Sequence, residues 1–368
     1  MNDIIIDGSL YEGGGQIIRN SMALSNILQT PFQIINIRSG RPNPGLNNQL
    51  TSAITLLKQI TDAQVSLVKN GIQKLEYQPL KKIKSGQYHG GAKSAAAISL
   101  MFQSLVPTMI FGQSKSVLLL SGGTDVNKSP PSLSVNLILR KLLEQMGVNF
   151  VYQINKEGYY PYGGGVLELQ IENIKGYLKP IKLLNRNPPT KINITFYLTN
   201  RLIKVNEQTK QIKKEIKKIL KNYFDQECEL DIQVEIKYIT SKKFPECYAI
   251  ILNAVGEETF IDASYHPQNP QNEMLDHCTE QVIKNFEKQI IHGGCLDEHH
   301  QDQLLIYMAL AQGTSQIRCG KEMTPHTQAV FYVLKKFIPN LKYLIEQDKN
   351  DKMQSNIISI EGIGLKNE

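Results

Sequence analysis

Short apolar runs alternate with segments of helical periodicity along the first part of the chain. Two such runs flank a helical pattern, a second helical pattern follows, and two more runs lie on either side of the Asn70-Gly71 dipeptide, which predicts a hairpin. The pattern therefore predicts a βαβαββ unit, with strands at residues 4–6, 32–37, 65–68 and 75–77, one helix ending at residue 28 and another at residues 46–60.

The same kind of pattern recurs twice more, although the repetition is one of pattern and not of sequence identity. The second set has helices at residues 95–106 and 135–146 and strands at residues 117–120, 148–154 and 166–171. The third set has helices at residues 302–311 and 326–337 and strands at residues 316–319, 341–345 and 357–360.

A linker-like break at residues 185–189 separates the second set from a segment of different composition. A helix at residues 207–224 carries apolar side chains on one side and lysines on another, a face more typical of a solvated surface than of an RNA contact. Both interpretations of that face stay open. With strands at 192–197, 232–238 and 249–253, we expect a mixed α+β (α/β) fold: a large domain from residues 1–186 and 284–368, and a small α+β insert at residues 187–283.

Composition indicates a folded globular protein. The 368 residues are 41% hydrophobic, enough for two cores, and no apolar run reaches the roughly 18 to 20 residues of a membrane span. Because Met1 leads almost directly into a strand without a signal-peptide pattern, we expect a soluble intracellular protein. Five cysteines without C-x-x-C spacing indicate neither a disulfide framework nor a zinc site. The net charge of +7 is compatible with a polyanionic partner such as RNA but does not require one.

A glycine-rich loop, Glu12 to Gln16, lies between the first strand and the first helix, an order typical of phosphate binding. It is not a Walker A loop, because no Gly-Lys-Ser/Thr follows, and it lacks the dinucleotide-binding spacing. Glu12 would repel phosphate unless a divalent cation lay between them, whereas Gln16 and Arg19 present neutral and cationic donors. A tight turn with a solvated glutamate explains the loop equally well at this point.

A second candidate stretch runs from Asp297 to Gln303. Neighbouring residues on a helix point about 100° apart, so the adjacent histidines cannot easily share one metal ion. His299, Asp302 and Gln303 share a helix face, and a ring, a carboxylate and an amide suit a base, ribose hydroxyls and polar base edges. An acidic helix cap is a sufficient explanation for the first two residues of the stretch.

The third candidate is His326, which follows a Thr324-Pro325 helix-start signature. In the first helical turn the free N–H groups disfavour an imidazolium, so a neutral nitrogen would be available as a nucleophile. A structural or solvated histidine is the alternative.

Ordered motifs over nearly the whole chain resemble those of the RNA 3′-terminal phosphate cyclase family. The matching stretches are Asp7-Gly8-Ser9, Glu12-Gly13-Gly14-Gly15-Gln16-Ile17-Ile18-Arg19, Ile37-Arg38 with Arg41 and Pro44-Gly45-Leu46, Gly122-Gly123-Thr124 with Ser129-Pro130-Pro131, Gly158-Tyr159-Tyr160-Pro161, Gly163-Gly164-Gly165, Asp297-Glu298-His299 with Asp302-Gln303-Leu304, His326-Thr327-Gln328 and Glu361-Gly362-Ile363-Gly364.

The resemblance implies a large domain of three repeated βαβαββ units, with the smaller insert between the second and third, and a nuclear or cytoplasmic location. It also implies ATP-dependent conversion of an RNA 3′-phosphate to a 2′,3′-cyclic phosphate. In such enzymes a histidine attacks the α-phosphorus of ATP with Mg²⁺ or Mn²⁺ present, AMP passes to the RNA 3′-phosphate, and the neighbouring 2′-OH closes the ring and expels AMP.

Carried over by position, the resemblance implies that His326 is the nucleophile and Glu12 the metal ligand. The implied adenylate pocket, with His299 and Pro130 on either side of adenine, consists of Gln103, Pro130, His299, Asp302 and Gln303. The residues implied to contact phosphates of ATP or of the RNA end are Gln16, Arg19, Arg41 and Gln49.

Three features depart from the family pattern. Leu50 stands where relatives usually carry histidine, Ser94-Ala95-Ala96-Ala97 replaces Thr-Ala-Gly-Ser, and the insert matches weakly, which puts substrate contacts in question. The main alternative is a catalytically silent relative that acts as a binding factor in ribosomal RNA processing, although such relatives lack the glycine loop and the histidine. The Glu12 loop and His326 also argue against an enolpyruvyl transferase, whose repeated architecture is similar.

Overall fold

The computed structural model describes residues 4–92, 94–224, 229–240, 243–244, 246–269 and 272–367. Its strands are β1 (Ile4–Asp7), β2 (Phe32–Ile35), β3 (Gln64–Val65), β4 (Leu75–Gln78), β5 (Gln87–Gly91), β6 (Ser116–Gly122), β7 (Phe150–Lys156), β8 (Gly165–Ile171), β9 (Gly176–Tyr177), β10 (Lys182–Leu183), β11 (Lys191–Leu198), β12 (Asp231–Tyr238), β13 (Cys247–Val255), β14 (Phe260–Tyr265), β15 (Gln312–Cys319), β16 (Lys342–Gln347), β17 (Asn356–Ile363) and β18 (Lys366–Asn367).

The helices alternate with these strands. They are α1 (Gly15–Leu28), α2 (Asn48–Thr61), α3 (Ile98–Met109), α4 (three consecutive segments, Ser132–Ser134, Val135–Leu139 and Arg140–Gln145, the middle one a π-helix), α5 (Asn206–Tyr223), α6 (Leu275–His292), α7 (Glu298–Leu310) and α8 (Pro325–Phe337). The chain is thus a mixture of α and β structure, as expected.

Three four-stranded sheets have strand orders β1-β2-β4-β3, β5-β6-β8-β7 and β10-β15-β17-β16. In each sheet the first two strands of that order pair in parallel and the remaining pairs are antiparallel. Their helices share one large apolar core, in which α1 packs against both α3 and α8. This central packing fixes the beginning of α1, from which the glycine loop extends.

The fourth sheet, of order β12-β11-β13-β14, has an apolar core of its own. Helices α5 and α6 cover one face of it, with Ile212 and Ile216 of α5 and Val282 and Phe286 of α6 fully buried. That core extends to Ile290 of α6, seven positions beyond the expected insert boundary at residue 283.

Several predicted element bounds were wrong, for local reasons. The helix expected at residue 95 begins at Ile98, because the backbone before it pairs with the next loop: Gly123 N donates to Ala96 O at 2.8 Å and Ile98 N donates to Gly123 O at 3.0 Å. The strand expected to reach residue 37 ends at Ile35, because Asn36 takes a positive φ of 54°.

Strands β5 and β14 and helix α6 were not predicted. The short β5 contains two glycines and no apolar run, which leaves it without the usual signal of a strand. Among the described residues, Cys247, Cys278, Cys295 and Cys319 are free and buried; Cys228 lies outside that part of the chain. Within the same part, no helix has the length and apolar character needed to span a membrane.

Candidate active site

A cavity of about 810 Å³ brings together all the site residues implied by the sequence. Segments from α1, α2, α3, α7 and α8 contribute to its lining, although Gln16 of α1 and His326 of α8 are 310 positions apart in the chain. The implied residues that line it are Glu12, Gln16, Arg19, Arg41, Gln49, Gln103, Pro130, His299, Asp302, Gln303 and His326.

The glycines of the loop make room for two charged side chains. A Cβ on Gly14 would lie 2.0 Å from Oε2 of Glu12, and a Cβ on Gly15 would lie 2.5 Å from Nη1 of Arg19. Gly13 has a φ of +55°, in the left-handed region that favours glycine. The loop therefore holds the Glu12 carboxylate and the Arg19 guanidinium against its own backbone at the cavity.

Arg19 is a buried cation, 6% exposed, with two amide partners. Its Nε donates to Oε1 of Gln103 at 2.7 Å and its Nη1 to Oε1 of Gln49 at 3.3 Å. Burial lowers the pKa of Arg19 to about 10, a value that leaves the guanidinium charged at neutral pH. Arg41 adds a second guanidinium, whose Nη2 lies 2.8 Å from Oε2 of Glu12. This part of the cavity suits an anion.

His326 lies in the first turn of α8, as predicted. The hydroxyl of the N-cap Thr324 accepts a hydrogen bond from Thr327 N at 3.1 Å, and Pro325 occupies the first helical position. Nδ1 of His326 lies 2.8 Å from Oε1 of Gln16. Burial lowers the pKa of His326, and the positive charges of Arg19 and Arg41 act in the same direction, against the opposing effect of Glu12.

The amide of Gln16 determines which nitrogen of His326 is free. Its Oε1 faces the imidazole at 2.8 Å from Nδ1, and an amide oxygen can only accept a hydrogen bond. Nδ1 of His326 is then the donor, and Nε2 carries the lone pair. A neutral imidazole with a free Nε2 beside buried guanidinium groups is an arrangement that can attack an electrophilic phosphorus.

The two neighbouring histidines of α7 have different environments. Asp297 caps the helix by accepting from His299 N and His300 N at 2.9 and 3.0 Å, and its Oδ2 lies 2.7 Å from Nδ1 of the buried His300. Burial alone would lower the pKa of His300, but Asp297 raises it above the ordinary value. The His299 ring is about half exposed and lies 6.5 Å from the His326 ring, centroid to centroid. The His299 ring is therefore the more exposed of the two rings that line the cavity.

Sequence reasoning missed part of the cavity lining. Arg38 was noted only as part of a motif, and strand β14 with its following residues contributes Asp262, Ser264 and His266. Burial raises the pKa of Asp262 to about 7 and lowers that of His266 to about 4. Nε2 of His266 has no hydrogen-bond partner among the described residues. Polar residues inside an otherwise apolar strand were the only sequence signal for this contribution.

Leu50, where relatives usually carry histidine, does not line the cavity. It is fully buried in the large core and lies close to Gly15, where an added Cβ would be 3.6 Å from Cδ2 of Leu50. The neighbouring Gln49 points to the cavity instead. The leucine therefore contributes to packing beneath the glycine loop.

A model of the RNA 3′-terminal phosphate cyclase family matches residues 10–341. The chain is 31% identical to the RNA 3′-terminal phosphate cyclase of Pyrobaculum neutrophilum over 98% of both chains, and 30% identical to that of Drosophila melanogaster over 99% of this chain and 97% of the relative. It is 30% identical to the probable RNA 3′-terminal phosphate cyclase of Dictyostelium discoideum, over 98% of this chain and 83% of the relative.

Among solved structures, the enolpyruvyl transferase NikO from Streptomyces tendae aligns with a TM-score of 0.38 and 9% identity, over 97% of this chain and 48% of its own.

Proposed function

Because the chain belongs to the RNA 3′-terminal phosphate cyclase family of enzymes, we propose that it converts an RNA 3′-phosphate to a 2′,3′-cyclic phosphate at the expense of ATP. The observation that carries the proposal is the 2.8 Å hydrogen bond from Nδ1 of His326 to Gln16, in a cavity that also contains the Arg19 guanidinium. The cavity therefore contains both a nucleophile and a cationic group that can bind phosphate.

In the proposed first step, Nε2 of His326 attacks the α-phosphorus of ATP. A P–N bond forms as the P–O bond to pyrophosphate breaks, which leaves a histidine–AMP phosphoramidate. The lowered pKa of His326 supports this role, because an imidazole that is unprotonated at neutral pH can attack. Nδ1 keeps its proton, and the Gln16 oxygen stabilises the positive charge that develops on the ring.

Two further transfers complete the reaction. An oxygen of the RNA 3′-phosphate attacks the phosphorus of the bound AMP, the P–N bond breaks, and the RNA end becomes an anhydride with AMP. The 2′-oxygen of the terminal ribose then attacks the 3′-phosphorus, loses its proton and expels AMP. A terminal phosphate is a poor electrophile, and the anhydride makes AMP the leaving group.

The proposed contacts follow the chemistry of the lining. Arg19, Arg41, Gln16 and Gln49 would bind phosphates of ATP or of the RNA end. The residues proposed to hold the adenosine, with Pro130 and His299 on either side of the base, are Gln103, Pro130, His299, Asp302 and Gln303.

Glu12 is the proposed ligand of Mg²⁺ or Mn²⁺. Among the described residues no group of three or more histidine, cysteine or acidic side chains could hold a metal ion. A single carboxylate nevertheless fits magnesium, which is commonly bound by one or two carboxylates together with substrate phosphates. Such an ion would neutralise phosphate charge, and the Glu12 carboxylate would exchange its contact with Arg41 for it.

At the level of the fold, we propose that the three similar sheets belong to three βαβαββ units of a large domain, residues 1–186 and 284–368, with residues 187–283 as an insert. The common strand order of the three sheets and the separate core of the fourth support this division. A nuclear or cytoplasmic location is proposed from the resemblance alone.

Labelling with ATP that carries an isotope at the α-phosphate tests the proposal. We expect acid-labile label on the wild-type protein and a loss of at least about a thousandfold in His326→Ala, because no other group replaces the nucleophile. His89→Ala is the matched control, since His89 is an exposed histidine on β5 that does not line the cavity. A folded wild-type protein that takes up no label would contradict the enzymatic proposal and favour the silent binding factor.

A further inference from the structure

The loop between β7 and β8 exposes two tyrosines on a rigid base. Gly163 N donates to Tyr159 O at 2.8 Å, which closes the loop and leaves Tyr160, Pro161 and Tyr162 at its tip. The Tyr162 side chain is 79% exposed and that of Tyr160 43% exposed. Surface aromatic rings of this size are costly to leave in water, so two of them on one fixed tip point to a binding role.

Tyr159 anchors the base of this loop to the insert. Its ring packs edge-on against the rings of Tyr197 and Tyr248, with centroid distances of 5.9 and 5.1 Å. Tyr160 N donates to the hydroxyl of Tyr248 at 3.2 Å, and that hydroxyl donates to Asp125 O at 2.7 Å. The tip is therefore held in place by backbone contacts that do not involve the two exposed rings.

The loop tip is flanked by two segments that lead into the cavity. On one side, the Asp125 backbone that accepts from Tyr248 continues into residues 127–131, which line the cavity. On the other side, Gly163 packs against the backbone of Ser94, and the Ser94 hydroxyl accepts from Nδ2 of Asn48 at 3.2 Å. Asn47 and Gln49, the neighbours of Asn48, line the cavity as well.

We propose that Tyr160 and Tyr162 form a stacking platform for the single-stranded RNA that lies immediately 5′ of the phosphorylated terminal nucleotide. This inference rests on the proposed function, because an RNA end whose phosphate reaches His326 must leave the cavity across its rim. Unpaired bases stack on aromatic side chains irrespective of sequence.

Cations beside the platform suit the RNA backbone. The Lys243 ammonium lies 4.3 Å from the centroid of the Tyr160 ring, and Lys128 lines the cavity in the segment that follows Asp125. Aromatic rings interleaved with cations are the usual surface for single-stranded nucleic acid, whereas a protein partner would need a broader apolar area than two rings provide.

Binding of 3′-phosphorylated oligonucleotides of different length tests the platform. We expect Tyr162→Ala to weaken binding of a single-stranded decanucleotide 3′-phosphate by about fivefold or more, the usual effect of one lost base stack. Binding of a nucleoside 3′-phosphate should not change, because it ends inside the cavity. Tyr162→Phe should bind the decanucleotide as the wild type does, since the ring and not the hydroxyl makes the stack.

Tyr177→Ala is the matched control, because Tyr177 is a 38% exposed tyrosine on β9 that does not line the cavity. ATP-dependent labelling of His326 should be the same in all these variants, since no RNA takes part in it. The platform would be overturned, and the proposed function left intact, if the wild type is labelled and cyclises RNA while Tyr162→Ala binds the decanucleotide as tightly as the wild type does. A wild type that binds neither the decanucleotide nor the nucleoside 3′-phosphate would refute both the platform and the proposed function. If Tyr162→Ala weakens binding of the two ligands equally, the loop shapes the cavity and is not a stacking platform.

Discussion

The lining of the cavity has two parts that differ in charge. The basic lining, made by the glycine loop and α1 with Arg41, contains two guanidinium groups, and the buried one keeps its charge at neutral pH. The carboxyl lining, made by β14 and the first turns of α7, contains Asp262 and Asp302, whose pKa values burial raises to about 7 and about 8. At neutral pH the basic lining is cationic, whereas in the carboxyl lining Asp302 is mostly protonated.

That difference matches the two ends of a nucleoside triphosphate. A phosphate chain that leaves water needs cationic donors, and guanidinium groups bind it through paired hydrogen bonds. Ribose hydroxyls and base edges need hydrogen bonds without a net charge, and a protonated carboxyl both donates and accepts. The difference therefore supports an orientation in which the phosphates face Arg19 and the nucleoside faces Asp302. His326 lies where the two parts meet, through its contact with Gln16.

Among changes to these two linings, removing the buried cation should have the largest effect. We expect Arg19→Gln to slow ATP-dependent labelling of His326 by about a hundredfold or more, because it removes a charge-assisted partner of the phosphates. It also leaves the side-chain oxygens of Gln103 and Gln49 without their donor. The initial rate of labelling is the measurement, with a thermal melt to establish folding.

Arg140→Gln is the control for this change. Arg140 pairs with Glu144 on α4, away from the cavity, and its loss should leave the labelling rate unchanged. Labelling of the Arg19 variant at the wild-type rate would remove the basis for calling that lining a phosphate site.

A smaller effect is expected at the junction of the two linings. Gln16→Glu places a carboxylate beside Nδ1 of His326, which favours the imidazolium and raises the pKa of the ring. In the wild type that pKa lies below its ordinary value of 6.5, so labelling should fall only in more acidic solution. In the variant the fall should begin about one pH unit higher, and the difference in rate should approach about tenfold only at pH values below both pKa values.

Gln16→Ala separates the charge from the lost hydrogen bond. It removes the contact with His326 without adding a carboxylate, so any loss of rate should come without an upward shift of the midpoint. Equal midpoints for the wild type and Gln16→Glu would show that Gln16 does not control the proton of His326.

The start of α8 could be predicted from sequence because capping is local: Thr324 caps the helix within three residues and fixes where His326 emerges. Asp297 caps α7 in the same way, but that helix begins at Glu298, four residues before the predicted start at residue 302. The succession of strands along the chain could be predicted only in part, since β5 contains no apolar run. Which strand of the fourth sheet meets the cavity depends on contacts such as Asp262 N to Asp297 Oδ2 at 2.9 Å, between residues 35 positions apart. No local pattern encodes such a contact.

The Leu50 departure shows a related limit. From sequence it appeared beside Gln49 in a motif that contacts substrate, and a change there put those contacts in question. Adjacent helical residues point about 100° apart, and in the structure Gln49 faces the cavity while Leu50 is buried in the core. Leu50 therefore affects the packing of the core and not the lining of the cavity. A comparison of motifs alone does not distinguish these two effects.

The smallest effect on rate is expected from Asp302→Asn, which tests the uncharged state of the carboxyl lining. If burial keeps Asp302 protonated at pH 7, a neutral amide of the same shape should change labelling by no more than about threefold. Asp302→Asn should raise the free energy of unfolding, whereas most substitutions of buried residues lower it. The folded state raises the pKa of Asp302 from 3.8 to about 8, so wild-type stability falls as pH rises between those values.

The amide variant lacks that cost, and its advantage in melting temperature over the wild type should be larger at pH 8 than at pH 5. Asp297→Asn on the same helix is the matched control. Burial alone would raise the pKa of Asp297, but the His300 ring and hydrogen bonds lower it, so its carboxylate is ionised and its loss should destabilise the protein. A difference between Asp302→Asn and the wild type that stays constant from pH 5 to pH 8 would mean that Asp302 is charged in the folded protein. The carboxyl lining would then repel the phosphates, and that repulsion would add to the attraction of the basic lining in orienting the nucleotide.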